Sequence, residues 1–213
     1  MKLCSVEECD RKHYAKGYCY KHYRQFKNYG KILERTKYDP NKIIVEDQIC
    51  KMKLYDNNGN EITETIFNLK YKVEIEKYKW HLSDIGYAIT TWHDEDNKQH
   101  NIKLHQAIIR MSEQEVHDGY EIDHKDSNKL NNLEDNLRIC THKENIRNSN
   151  IKSSNSSGYK GVTWRKSIKK WTSNITVNGK TIFLGNFTDI EEAAKSYKQA
   201  ALQYFGEFAN LNN

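Results

Sequence analysis

The stretch from Glu121 to Asn148, EIDHKDSNKLNNLEDNLRICTHKENIRN, concentrates groups able to do chemistry. Asp123 offers a carboxylate, the ligand type that hard divalent cations prefer. His124 follows it directly, and an imidazole with an ordinary pKa of about 6.5 is mostly neutral at physiological pH and accepts a proton from water. A run of asparagines and a helix start supply a scaffold for both. A cation ligand beside a neutral-pH base is what hydrolysis of a phosphodiester requires. An Asp-His pair alone is usually ordinary surface. The weight falls on the pair together with Asn136 and Asn145 at their particular spacings.

Those side chains need elements to hold them. Asp118-Gly119 reads as a turn, Tyr120–Ile122 as a short strand delivering Asp123 and His124, Ser127–Asn136 as a polar loop, and Leu137–Cys140 as a return strand. Thr141-His142-Lys143-Glu144 is a capping box opening a helix, with Asn145 one turn inside it. Neighbours in a regular strand point to opposite faces. Asp123 and His124 are therefore expected where the strand ends and distorts, unless one role is misassigned. His142, one turn before Asn145, fits either a helix-start role or a place near the cation. His105, in Leu104-His105-Gln106, fits phosphate contact or helix packing.

Upstream, residues 43–104 read largely as strands. Cys50, Met52 and Leu54 alternate with Lys51, Lys53 and Tyr55, and Asn57-Asn58-Gly59 marks a hairpin turn before Ile62–Phe67. A helical piece is expected over 69–79 with Trp80 packing at its end, then strand again at Tyr87–Thr91 and a covering helix at Leu104–Met111. Cys50 and Cys140 fit core positions.

The amino-terminal segment CSVEECDRKHYAKGYCYKH spaces Cys4, Cys9, Cys19 and His22 as C-x4-C-x9-C-x2-H. Two pairs of nitrogen and sulfur donors suit a tetrahedral structural zinc, and a segment this short cannot bury enough apolar surface to fold alone. Gly17 permits the tight turn of a metal knuckle. His13 is a rival fourth ligand without the paired spacing. Arg24, Lys27, Lys31 and Arg35 follow on a short helix, where phosphate contact and a solvated face both fit.

The chain has 213 residues, 34 Lys/Arg, 29 Asp/Glu, a single proline and 14 Tyr. Abundant aromatics argue for folded modules. No segment reaches membrane-spanning length and MKLCSVEECD lacks a signal-peptide core, so an intracellular, cytoplasmic protein without a membrane partner is expected. An odd number of cysteines, five, with some clustered, favours metal over disulfides. Residues 1–37 carry ten basic side chains against four acids and residues 152–213 nine against four, whereas 38–151 are net acidic. Two basic ends around an acidic centre fit two nucleic-acid grips flanking a cation-holding site.

After the small polar stretch Ser149–Ser157, a linker signal, three strands are expected at Tyr159–Arg165, Lys170–Val177 and Lys180–Gly185, with Asn178-Gly179 turning the last pair. Thr188 is expected to cap a helix whose apolar stripe is Ile190, Ala193, Ala194, Tyr197, Ala200, Ala201 and Tyr204, ended by Gly206. Trp171, Ile175 and Val177 would face that helix, leaving Thr172, Asn174 and Thr176 on an exposed polar face.

Residues Leu104 to Asn148 resemble the HNH (ββα-metal) endonucleases, particularly phage homing enzymes. The resemblance implies Asp123 and Asn145 as ligands of Mg²⁺ or Mn²⁺, His124 as general base, and Asn136 as the residue that holds the base's loop. Many relatives have histidine in place of Asn145. A carboxylate with an amide oxygen favours Mg²⁺ or Mn²⁺ over zinc. In-line attack would leave 5′-phosphate and 3′-hydroxyl ends. Gly158–Asn213, through Tyr159-Lys160-Gly161-Val162 and Phe183-Leu184-Gly185-Asn186-Phe187, resembles the AP2 DNA-binding domain. That implies a major-groove surface of Lys160, Thr163, Arg165, Asn174, Thr176, Thr181 and Phe183. Plant members have arginine where this chain has Thr163, Thr176 and Thr181, and tryptophan where it has Phe183, so their base preference does not transfer.

The expectation is an α+β protein with a zinc module at 1–37, an HNH domain with its preceding sheet at 38–150, and an AP2-like domain at 158–213. The implied activity is a homing-type endonuclease cutting double-stranded DNA, monomeric on an asymmetric site, with a dimer as the variant arrangement. The competing readings are a non-catalytic DNA-binding regulator and a dimeric restriction-type nuclease.

Overall fold

The computed structural model describes residues 2–7, 9–33, 35, 39–149, 151 and 155–211. The expected border at residues 37 and 38, Asn150 and residues 152–154 of the linker, and the last two residues of the third module lie outside the described residues. The architecture is α+β, made of small antiparallel sheets and helices. It divides into two compact units, Met1–Lys103 and Leu104–Asn213.

In the first unit, short bridges pairing Leu3 with Lys12 and Ala15 with Tyr18 fold the cysteine-bearing segment into two knuckles. Gly17 takes φ 87°, the left-handed conformation its turn demands. Helix α1 (Tyr20–Tyr29) follows and stops at Gly30. It carries Arg24 and Lys27 but not Lys31 or Arg35. The Arg35 guanidinium instead sits 4.2 Å from the centre of the Tyr55 ring. Strands β1 (Ile43–Glu46), β2 (Ile49–Tyr55) and β3 (Glu61–Asn68) form one antiparallel sheet. Cys50, Met52 and Leu54 are fully buried, as their alternation requires. The Asp56 carboxylate accepts from the Asn58 and Asn60 amides at 2.8 Å each and shapes the β2–β3 turn.

The helical piece is shorter than the sequence suggested. A 3₁₀ turn at Leu69–Tyr71 runs into α2 (Lys72–Ile75), and the chain then leaves the helix. The Trp80 indole N–H donates to the Ile75 carbonyl at 2.8 Å, while the Asn41 side chain binds both the amide and the carbonyl of Trp80. These bonds draw Trp80 into β4 (Trp80–Leu82), which pairs with β5 (Ala88–His93), itself paired with β6 (Gln99–Lys103).

The second unit opens with α3 (Leu104–Met111), which buries Leu104, His105, Ile108 and Ile109. Strands β7 (Tyr120–His124) and β8 (Leu137–Thr141) form a two-stranded ladder, and α4 (His142–Asn148) begins with the expected capping box between Thr141 and Glu144. Strands β9 (Val162–Arg165), β10 (Lys170–Val177) and β11 (Lys180–Phe187) form the last sheet, in the order β11-β10-β9. Asn178 and Gly179 both take positive φ, as a two-residue hairpin turn of this type needs.

Helix α5 (Ile190–Phe205) lies on that sheet. Its cap is Asp189, whose carboxylate accepts from the Glu191 amide at 2.9 Å, one residue later than the Thr188 expected. Ala193 and Ala194 pack with Val162 and Trp171, and Ala200 and Ala201 with Ile175 and Val177. The last turn of the stripe is carried by Phe205, not Tyr204, which is exposed. At about 100° per residue, position 205 stays over the sheet as the helix continues from Ala201. Thr172 faces away from α5 but is not exposed. It is buried and donates to Asn186 Oδ1 at 2.7 Å.

Candidate functional site

The amino-terminal donors converge. Cys4, Cys9 and Cys19 Sγ and a His22 ring nitrogen lie within 4.8 Å of one another. A tetrahedron with zinc–sulfur bonds of about 2.3 Å has edges of about 3.8 Å, close to the 4.0 Å between Cys9 and Cys19 Sγ. His22 sits at the start of α1, 3.2 Å from Cys4 Sγ. His13 is outside the cluster, and its Nε2 accepts from the Gly17 amide. Burial works to raise the Cys4 thiol, but the bond with His22 and those from the Val6 and Cys19 backbone outweigh it and bring it to about 6. That favours the thiolate, the form that binds metal. The cluster can hold zinc.

In the second unit, Glu121 and Asp123 point to the same face of β7, and α4 lies across it. His142, Asn145 and Asn148 recur every three residues and form one stripe of that helix. His142 Nδ1 lies 2.8 Å from Glu121 Oε1, and the Asn145 amide donates to Glu121 Oε2. Asn148 Nδ2 lies 3.1 and 2.9 Å from the two Asp123 oxygens and donates to the His124 carbonyl at 2.8 Å. Asp123 also pairs with Arg138, its cross-strand partner in β8. Nε and Nη2 both donate to Oδ2, at 3.0 and 2.7 Å. Asp123 is 7% exposed, so its charge is compensated almost entirely by protein groups. Asp123 and Asn145 do not hydrogen-bond each other. Glu121, two residues along the strand from Asp123, takes the Asn145 amide.

His124, the last residue of β7, is 4% exposed. Its Nε2 lies 3.2 Å from Asn132 Oδ1, and its ring meets that of His105 edge-on at 4.9 Å. Asn132 directs its amide nitrogen to the Lys129 carbonyl, so its oxygen faces the imidazole. That orientation suits the tautomer with its proton on Nε2. Burial lowers the His124 pKa against the opposing bond to Asn132, which keeps the ring neutral. The strand ends at His124 as expected, but it does not distort there: Asp123 and His124 pair in regular register with Arg138 and Leu137, and their side chains leave by opposite faces. Asp123 turns to Arg138 and α4, and His124 turns to Asn132 and α3.

The loop between the strands is internally bonded. Asn136 Oδ1 accepts from the Asp126 amide at 3.2 Å, and its Nδ2 donates to Asp126 Oδ1 and to the Asn131 carbonyl. Ser127 adopts φ 61°, unusual for a residue with a side chain. Cys140 is buried, and burial pushes its thiol up to about 11, so it is an inert core group.

On the last sheet, Thr163 and Arg165 are exposed on β9, and Thr176 and Thr181 are exposed with their hydroxyls 3.3 Å apart. Phe183 is 59% exposed beside them. Asn174 is half-buried. Lys160 sits before β9 and donates to the Arg147 carbonyl of α4 at 3.1 Å. Burial lowers its pKa.

Arg138, Asn148, Asn132 and Glu121 escaped the sequence reading. Arg138 was within reach of it, because carrying the β7–β8 pairing back from the turn sets it opposite Asp123. Asn148 follows from the three-residue step that begins at His142 and Asn145. Asn132 carries no periodic signal, since only the folded loop brings it to His124.

Two family profiles match the chain. One described as HNH endonuclease covers residues 103–147, and one described as AP2 domain covers residues 157–207. An uncharacterized HNH endonuclease of Acanthamoeba polyphaga mimivirus is 35% identical over 138 residues, 65% of this chain and 68% of that protein. Protein 3.8 of Escherichia phage T7 is 40% identical over 93 residues, 44% of this chain and 76% of that protein. The APETALA2-like protein 2 of Oryza sativa subsp. indica is 39% identical over 59 residues, 28% of this chain and 14% of that protein. With its two-stranded ladder and capped helix followed by an AP2 sheet and helix, the chain belongs to the HNH endonucleases, hydrolases that cut DNA, and carries an AP2 domain for binding it.

Proposed function

We propose that this protein is a site-recognising endonuclease of homing type that cuts double-stranded DNA with one active site per chain. The observation that carries the reading is the placement of His124: a buried imidazole whose pKa burial lowers and whose Nε2 faces Asn132 Oδ1, next to Asp123 at one strand end. His124 takes the proton from the attacking water at Nδ1. Asn136 keeps the Asp126–Asn131 loop in shape, and thereby Asn132 in register with the ring.

Asp123 and Asn145 are assigned to a divalent cation. The donor set fits one. Asp123 Oδ1 accepts a single 3.1 Å bond and keeps lone-pair capacity, Asn145 commits its amide nitrogen to Glu121 and leaves its oxygen to bind, and an all-oxygen set suits Mg²⁺ or Mn²⁺. Such an ion neutralises charge on the scissile phosphate and the leaving 3′ oxygen. The products carry 5′-phosphate and 3′-hydroxyl ends.

Cys4, Cys9, Cys19 and His22 hold a structural zinc that folds residues 1–37. Residues 38–150 and 158–213 complete a three-part division into cutting and reading modules. Lys160, Thr163, Arg165, Asn174, Thr176, Thr181 and Phe183 form the reading surface, and the protein works as a monomer on an asymmetric site inside the cell. Supercoiled plasmid carrying a mapped target tests the activity. Mg²⁺ should convert it to nicked and linear forms, chelator should prevent this, and His124→Ala should slow it by about 10²–10⁴-fold without weakening DNA binding. Supercoils left intact by the unmodified protein on every target would sink the reading in favour of a DNA-binding regulator.

A further inference from the structure

Beyond α5 the chain turns through a 3₁₀ segment, Gly206–Phe208, and reaches Asn210. This end of the AP2 domain meets the residues around Asp123 and His124 at three points. Arg138, which gives two of its guanidinium N–H groups to Asp123, gives a third, Nη1, to the Glu207 carbonyl at 2.7 Å. The Phe208 ring lies under the same guanidinium, 4.0 Å from its central carbon. Buried Asn210 donates through Nδ2 to the Asn148 carbonyl at 2.6 Å and to Ser127 Oγ at 3.0 Å. Asn148 is the residue whose own amide holds Asp123 and the His124 carbonyl. Ser127 is the positive-φ residue three positions after His124, and its hydroxyl donates to the Asn148 carbonyl at 3.1 Å.

The arrangement has a physical consequence. Arg138 is 9% exposed. A buried guanidinium fixed on one edge by a backbone carbonyl and on one face by a ring has little rotational freedom, so it presents its other edge to Asp123 in one orientation. Ser127 in a left-handed conformation persists only where surrounding bonds over-determine it. Asn210 supplies one of them. Asp123 and the turn after His124 are thus framed by a segment that follows the AP2 helix, with Asn210 bonding across 62 residues to Asn148 and 83 residues to Ser127.

We propose that Phe208 and Asn210 are positioning residues for DNA cleavage. Phe208 acts through Arg138 on Asp123, and Asn210 acts through Asn148 and Ser127 on the Asp123–His124 strand end. The tail of the reading domain is then a working part of the cutting site. This rests on the nuclease reading given above.

The test uses the full-length protein and compares Asn210→Ala, Phe208→Leu and Phe208→Tyr with His124→Ala. Single-turnover cleavage is measured at saturating DNA, below each variant's melting temperature. Duplex affinity is measured separately in chelator. Asn210→Ala and Phe208→Leu should cut at least about tenfold more slowly with affinity in chelator kept within about twofold, since small displacements of catalytic groups cost rate rather than binding. Phe208→Tyr, which keeps the ring, should restore the rate. Wild-type cleavage by Asn210→Ala, or a loss of affinity in chelator matching the loss of rate, would overturn the proposal. So would a Phe208→Tyr variant as slow as Phe208→Leu. No cleavage by the unmodified protein would instead defeat the nuclease reading itself, so the two failures are distinct.

Discussion

A carboxylate as buried as Asp123 is tolerated because Arg138 and Asn148 surround it with donors. Arg138→Ala removes the positive partner and leaves the charge in place. It should destabilise the second unit by about 3–5 kcal/mol, as seen when one member of a buried pair is deleted. Denaturant unfolding followed by fluorescence measures this, and a change below about 1 kcal/mol would mean that water reaches Asp123 freely. Asn132→Leu probes the proposed base. It removes the oxygen 3.2 Å from His124 Nε2, so the cleavage rate should fall by about tenfold or more while folding survives. The candidate residues could be named from the sequence because few other residue types can bind a hard cation or accept a proton near neutral pH. Their partners were less so. Arg138 looks like one more basic residue until the strands are paired, and Asn132 is one of several asparagines in a polar loop.

Elements with strong local signals formed where the sequence placed them: α3 over Leu104–Met111, the Thr141–Glu144 box, and the Asn178-Gly179 turn. The errors arose where a tertiary bond overrode a local preference. The 69–79 helix was cut short because Trp80 and Asn41 hold the next residues extended. The α5 cap moved to Asp189, whose carboxylate reaches the Glu191 amide. Gly161 carries a prediction at this scale. It has φ +66°, and a Cβ there would come 2.2 Å from the Tyr197 ring and 2.3 Å from the Asn174 carbonyl oxygen. Gly161→Ala should therefore cost about 1–3 kcal/mol by overpacking between β10 and α5, read as a lowered melting temperature. The amino-terminal knuckles would depend on a different force. With so little apolar surface, a zinc held by Cys4, Cys9, Cys19 and His22 would supply roughly 10–16 kcal/mol, as in comparable peptides. Cys19→Ser or strong chelation should expose residues 2–33 to protease while the second unit keeps its protection.

Across the whole chain, the net charge of +5 combines basic ends with an acidic middle. Attraction to the phosphate backbone should therefore come mainly from those ends, while the AP2 face offers mostly neutral side chains: Thr163, Thr176, Thr181 and Phe183 around Arg165. Arg165→Ala should lower the slope of log affinity against log salt by about one and weaken binding to all sequences alike if it contacts phosphate. A loss confined to one base position would make it a base reader. The number of cutting sites sets the order of products. A single Asp123–His124 site per chain, as proposed, would act on one phosphodiester at a time. A monomer should thus convert supercoiled plasmid first to the nicked circle, with linear DNA appearing only after a lag at a rate first order in protein. A dimer spanning both strands would yield linear DNA without that lag, with a rate rising steeply with concentration through the association range. Following the three plasmid forms over time at several protein concentrations separates the two, and nicked circles that never accumulate would rule out the monomer.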